Sequence, residues 1–378
     1  MRRVLVLALG AALAVTGYAA AEAQTAQGQA GKKPAASAWK APRNAMGQPD
    51  LSGYWSNATL TPLTRNPKIS NKAVLSPAEA KQFEQIWAKA LADSDAPTTG
   101  EKTAEDIQKE LKESKLVEIR PDFLAAGGDV GGYNTFWIDP GINLVQINGE
   151  YRSSILTTPN GMPPARKPQP AGAPRGPGFR DVYDSYEYRS QGERCINGFG
   201  RNAPPPMLPN GYYNNNYQFL QTPDSVVIHV EMIHEARVVR LNAKHRTDGL
   251  RPYMGDSIGW YDGDTLVVET TNLPAEQQFM GAWKNLKVTE RFTRVSPDKI
   301  LYQFQVEDPD TWDKPWGGEY TFNTLKGIVY EYACHEGNYA LPGILAGARL
   351  QEKEAAASKT SAPAPAAAPS GGRRPGAD

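Results

Sequence analysis

The chain has 378 residues, with 41 Lys+Arg against 41 Asp+Glu, 4 His and 2 Cys. A formal charge of zero lacks the concentrated basic surface of a nucleic-acid binder and argues against attachment to anionic membranes, so no nucleic-acid partner is expected. Two cysteines exclude a disulfide-dense scaffold and a four-cysteine zinc site, while one disulfide stays open in an oxidising compartment.

At the N-terminus, Met1-Arg2-Arg3 precedes an apolar run from Val4 to Gly17, and Ala21-Glu22-Ala23 has the small-x-small form of a cleavage site. Residues 1–23 therefore read as a secretory signal peptide. A periplasmic or secreted location follows. No later stretch approaches the roughly 20 apolar residues of a spanning helix, so no integral membrane segment is expected in the mature chain. Residues 24–45 and 355–378 are rich in Ala, Gly, Gln, Lys or Pro. They hold too few apolar side chains to offset ordering entropy, so a disordered linker and tail flank one domain at 46–354.

A first strand follows Asp50-Leu51-Ser52-Gly53-Tyr54-Trp55. Ser76-Pro77-Ala78-Glu79 then has the N-cap, N1 and N3 residues of a capping box. Ala80, Phe83, Trp87, Ala90 and Leu91 fall on one face of the helix it opens. With a second helix at 104–115, this gives a helical insertion at 76–116. From Gly131 onward, short β-branched and aromatic runs alternate with turn residues. Strands are expected at 133–138, 143–147, 152–157, 217–221, 225–233, 237–241, 257–261, 265–270, 288–295, 299–306, 320–322 and 330–334. The Pro/Gly-rich stretch 163–178 reads as a loop, and 340–354 as a C-terminal helix. The fold class is mainly β: an antiparallel meander closing into a lipocalin-like barrel, which removes the edges of so many sequential hairpins.

Within that frame, Asp262-Gly263 reads as a two-residue hairpin loop pairing Ile258 with Val267 and Asp256 with Glu269. Trp260 shares their face. If that face is interior, two close carboxylates split into one acid and one base. If it is a solvated rim, they pair with an arginine. Val226, Ile228, Val230 and Met232 alternate inward, and continued parity brings His234 to the same wall as a candidate base, unless Glu235-Ala236 breaks the strand. The candidate catalytic set is His234, Asp256 and Glu269; Trp260, Glu231, Arg237 and His335 complete a candidate ligand-binding set. No HExxH spacing occurs, and no metal or cofactor is expected. Cys195 and Cys334 are the candidate disulfide.

The blocks Gly47-Gln-Pro-Asp-Leu-Ser-Gly-Tyr-Trp55, Gly192-Glu-Arg-Cys195, Tyr213-Asn-Asn-Asn-Tyr217, Glu231-Met-Ile-His234, Gly255-Asp-Ser-Ile-Gly-Trp260, Gly263-Asp-Thr-Leu-Val-Val-Glu-Thr-Thr-Asn272, Asp308-Pro-Asp-Thr-Trp312 and Tyr330-Glu-Tyr-Ala-Cys-His-Glu-Gly-Asn-Tyr339 resemble a large group of exported bacterial proteins. That resemblance implies export and carries no activity. Gly53-Tyr54-Trp55 also resembles the G-x-W signature of lipocalins, whose barrels usually hold small hydrophobic ligands. The expected function is a pocket for a small, largely apolar molecule, which the protein binds or acts on. The alternatives are a cofactor-independent acid-base enzyme (isomerase, lyase or hydrolase) and a non-catalytic envelope structural protein.

Overall fold

The computed structural model describes residues 39–67, 70–94, 139–168, 183–198, 204–210 and 213–361. The chain divides after Lys40, and every element below lies in the unit that begins at Ala41. The expected signal peptide, the helix at 104–115 and the strand at 133–138 lie outside the described residues.

In chain order come β1 (Gly53–Ser56), β2 (Val74–Leu75), α1 (Pro77–Ser94), β3 (Gln146–Ile147) and β4 (Glu150–Arg152). Then follow β5 (Asn216–Gln221), β6 (Ser225–Val230), β7 (Ala236–Leu241), β8 (Asp256–Asp262) and β9 (Thr265–Thr271). The long strands β10 (Lys287–Ser296), β11 (Lys299–Glu307) and β12 (Trp316–Thr324) precede α2 (Ala340–Ser361), which passes the expected domain end at 354.

Nine strands close into a barrel in the order β1-β12-β11-β10-β9-β8-β7-β6-β5, as the lipocalin-like expectation requires. Closure is made by β1, where Trp55 pairs with Thr324 on one side and Tyr217 on the other. A ring with an odd number of strands cannot alternate direction at every joint. The exception is β7 and β8, which pair in parallel through Arg240 with Ile258 and Leu241 with Gly259. Parallel neighbours need a crossover of about a dozen residues or more, and 242–255 supplies it.

Three expected barrel strands belong elsewhere. Residues 146–147 and 150–152 join 74–75 in a separate sheet of order β2-β4-β3. The stretch 330–334 is irregular; with β1 seated between β12 and β5, the barrel has no free edge for it to extend. The capping box forms, with Ser76 N donating to Glu79 Oε2 (2.8 Å) and Glu79 N to Ser76 Oγ (3.3 Å). Ala80, Phe83 and Trp87 of α1 then bury against Leu60, Leu75 and Leu144 in a small second core.

The main core fills the barrel. Tyr217, Phe219, Phe292, Tyr302, Tyr320 and Phe322 all point inward and are fully buried. Their rings meet edge-on or tilted, as aromatic quadrupoles prefer, with centroids 5.1 Å apart for Tyr217–Phe322, 5.0 Å for Phe292–Tyr302 and 4.9 Å for Tyr302–Tyr320. The space that a lipocalin-like barrel reserves for a ligand is therefore occupied by side chains. Outside the barrel, Cys195 and Cys334 form a disulfide with a Cα–Cα distance of 5.6 Å. It ties the segment after β12 to the loop before β5.

Candidate functional site

The hairpin of β8 and β9 closes on Asp262 paired with Thr265, so its loop is Gly263-Asp264 and not Asp262-Gly263. Gly263 takes φ +60, which suits the first loop position of a type II′ turn, where glycine is favoured. Ile258 thus pairs with Glu269 and Asp256 with Thr271. The slide preserves parity, so Asp256 and Glu269 still share a face but stand diagonally. That face is outside. Ser257 and Gly259 turn inward because the aromatic filling leaves little room; a Cβ on Gly259 would lie 2.8 Å from Val239 Cγ1. Trp260 consequently stands on the outer wall, partly exposed.

His245, absent from the sequence-based candidates, fills the diagonal. Its Nδ1 is 3.0 Å from Asp256 Oδ2 and its Nε2 3.2 Å from Glu269 Oε1. Asp256 also accepts from Arg240 Nη2 and from the backbone N–H of Arg246, each at 2.7 Å. Burial raises the Asp256 carboxyl, but the hydrogen bonds from Arg246 N–H, His245 and Arg240 outweigh it and leave the group below the usual carboxylate range. Lys287 approaches Glu269 at 3.7 Å. Both imidazole nitrogens face carboxylates, and only the imidazolium form donates to both. The cluster is a latch that folds the crossover 242–255 back onto the wall, which is what a parallel joint demands of its connection.

The other candidate residues lie apart from this latch. Arg237 is enclosed in the barrel at 1 % exposure and forks onto the fully buried Glu290 at 2.6 and 3.0 Å. Tyr302 Oη donates to Glu290 Oε1 at 2.8 Å, and Asn57 links Tyr217 and Tyr320 at 3.2 Å each. Burial would lower the Arg237 guanidinium, yet the facing Glu290 carboxylate raises it above its ordinary value. Both Nη groups are engaged by Glu290, while the buried Nε has no partner among the described residues, so the ligand contact expected for Arg237 is replaced by an internal ion pair. The partner was readable: Glu290 holds the inward position between Val288 and Phe292, just as Arg237 precedes Val239 and Leu241.

The inward parity of β6 ends at Val230, because Ile233 (φ 56) and His234 (φ 46) take left-handed conformations in the turn to β7. His234 is exposed, with Nδ1 3.2 Å from Tyr332 O. Glu231 is buried and accepts from Asn214 Nδ2 (2.7 Å) and Asn216 Nδ2 (2.8 Å). His335 is exposed in the turn beyond the disulfide. Two titratable groups here escaped the sequence reading. Burial raises the Asp139 carboxyl, with the Glu231 charge adding to the shift. Burial alone pushes Glu235 up to about 8, and its buried Oε2 has no hydrogen-bond partner among the described residues.

An opening among the described residues lies on the flank of the barrel. A cleft of about 580 Å³ runs between the β1–β12 wall and the segment 141–146, with Glu84 of α1 and Tyr151 of β4 on the far side. Ala58, Ile142 and Val145 give it apolar surface, while Lys299, Lys326, Asp298 and Glu84 bring charge of both signs. Glu84 also orders the wall, accepting from Leu144 N–H at 2.9 Å. A smaller groove of about 400 Å³ lies between Pro163, Pro164, Arg166, Met280 and Trp312. Among the described residues no helix is long and apolar enough to cross a membrane, and no group of His, Cys, Asp and Glu is arranged to hold a metal ion. No protein-family model, curated protein or solved structure matches the chain.

Proposed function

We propose that this is an exported, lipocalin-like binding protein that holds a small molecule of mixed polarity in the flank cleft. The barrel serves as a rigid wall for that site. The observation that carries the reading is the cleft itself: about 580 Å³ falls within the range of small-molecule sites, and apolar surface stands beside a few charged groups there. The filled barrel interior supports a site on its outside. Export is supported by the signal-like N-terminus, by the disulfide and by the resemblance to exported bacterial proteins. Binding is favoured over acid-base chemistry because Asp256, Glu269 and His234 lie on separate surfaces or in satisfied contacts.

Native mass spectrometry of the protein recovered from a periplasmic extract tests the reading. The wild type is expected to carry an added small-molecule mass. The Ala58→Trp variant, which puts an indole into the cleft, is expected to lose it. A wild type without added mass, or an adduct that survives in Ala58→Trp, would overturn the proposal.

A further inference from the structure

The smaller groove is independent of the flank cleft and shares no residue with it. One side is the segment Pro163 to Arg166, held in place by its neighbour Lys167, whose N–H donates to Thr311 O at 2.8 Å. The other side is a tight turn in which Phe279 and Ala282 exchange backbone hydrogen bonds at 2.8 and 3.0 Å. Its two central residues, Met280 (φ 50) and Gly281 (φ 90), are both left-handed. Gly281 suits its place, since φ +90 is a conformation that residues with a side chain rarely adopt. Met280 is not a natural choice. A left-handed conformation is unfavourable for a residue of its size, and such positions persist where the surroundings or a function hold them. What Met280 gains is a side chain on the groove wall.

Trp312 is 2 % exposed yet lines the groove, and Trp316, 5 % exposed, stands behind it with ring centroids 5.2 Å apart. Phe279 stacks on Trp316 at 5.8 Å. A buried indole N–H normally finds an acceptor. Neither Trp312 Nε1 nor Trp316 Nε1 has one among the described residues. At the rim, Arg166 is exposed and gives one N–H to Met280 O at 2.9 Å. Among the described residues no carboxylate pairs with it. The groove thus combines Pro, Met and Trp walls, an unneutralised guanidinium at the edge, and hydrogen-bond donors lacking acceptors beneath.

We infer that this groove is a second binding site, for a small organic anion: a carboxylate or sulfonate carried on a flat or branched hydrocarbon body. Arg166 takes the acid oxygens, as its planar fork favours. Met280, Pro163, Pro164 and Trp312 cover the hydrocarbon. A neutral hydrocarbon of the same shape gains only the second part.

Fluorescence titration of the full chain tests this with two probes of similar shape, the anionic 8-anilinonaphthalene-1-sulfonate and the neutral N-phenyl-1-naphthylamine. The wild type is expected to bind the anion at saturation in one copy per chain, more tightly than the neutral probe. Arg166→Gln is expected to weaken the anion by about tenfold or more and leave the neutral probe unchanged. Met280→Gly is expected to raise the melting temperature, by relieving the left-handed methionine, while weakening both probes. A wall with no ligand to hold would show the first effect without the second. Lys299→Gln, in the flank cleft, is expected to leave both affinities as they are. No saturable anion binding, equal affinity in Arg166→Gln, or loss of binding in Lys299→Gln would each overturn the assignment.

Discussion

Replacing Glu235 by Gln isolates a single buried carboxyl. Burial holds the proton on Glu235 up to about pH 8 in the fold, against 4.5 in the unfolded chain. A folded value above the unfolded one means that the folded protein binds more protons between those limits, so this group's contribution is complete below about 4.5 and is lost as pH rises through about 8. The full difference corresponds to roughly 5 kcal/mol. Glu235 keeps part of its surface in water, and screening reduces the effect to about 1–3 kcal/mol. Gln cannot ionise. Urea unfolding of both proteins at a series of pH values, from 4.5 to 9, should therefore give nearly equal stabilities at the acid end. The variant should lead by about 1–3 kcal/mol at pH 9. Titrations elsewhere cancel in the difference. A difference that stays flat with pH, or that favours the wild type as pH rises, would refute the reasoning.

Removing one partner of the Arg237–Glu290 pair leaves an unpaired charge in the aromatic core, so Glu290→Gln should cost about 3–5 kcal/mol in urea unfolding, and the double variant Arg237→Met with Glu290→Leu should recover most of it. Asp256→Asn should unlatch the crossover, seen as faster hydrogen exchange of the amides in 242–255 with the β10–β11 amides unaffected. Because the Asp256 carboxyl is held low, the same loosening should appear in the wild type only on acidification through that lowered value, and not at neutral pH. Cys195→Ser with Cys334→Ser opens a link spanning 139 residues, for which chain entropy gives about 5 kcal/mol; thermal unfolding with and without reductant reads the loss.

Where one local interaction decides the outcome, the sequence is transparent. The Ser76–Glu79 capping box and the inward alternation of Val226, Ile228 and Val230 appear in the structure as residue types and spacing suggest, whereas the Cys195–Cys334 link, which the sequence left open, depends on how distant segments meet. The hairpin at Gly263 shows how narrow the margin is. Asp-Gly and Gly-Asp loops are both good turns, and the choice between them moves Asp256 from facing Glu269 to standing diagonal to it. Which face of β8 turns inward is harder still. Trp260 and Tyr261 are both aromatic, and the rings of distant strands decide by filling the lumen, so that the small Ser257 and Gly259 turn inward and Tyr261 packs partly buried against the core. His245 was hidden for a similar reason: its position follows from a parallel joint, and strand parity in a closed ring becomes visible only once all nine strands are counted. Arg237 and Glu290 were legible, each at an inward position of an alternating strand with opposite charge.

The double role of β1 has a consequence for how the barrel is made. All four residues of β1 pair with β5, and two of them, Trp55 and Ser56, also pair with β12, the last strand of the barrel. The β5 seam needs the chain through Gln221 and the β12 seam needs it through Thr324, and the pairing of Trp55 with Thr324 closes a loop comprising most of the protein. Such contacts are the slowest to form because their loop entropy is lost before they are made. The edge of β1 that faces β12 must therefore wait longest for its partner, with its backbone donors and acceptors unpaired. In pulse-labelling hydrogen exchange during refolding, the amides of β1 should gain protection after those of the β10–β11–β12 meander, and simultaneous protection would show that closure is not the late step.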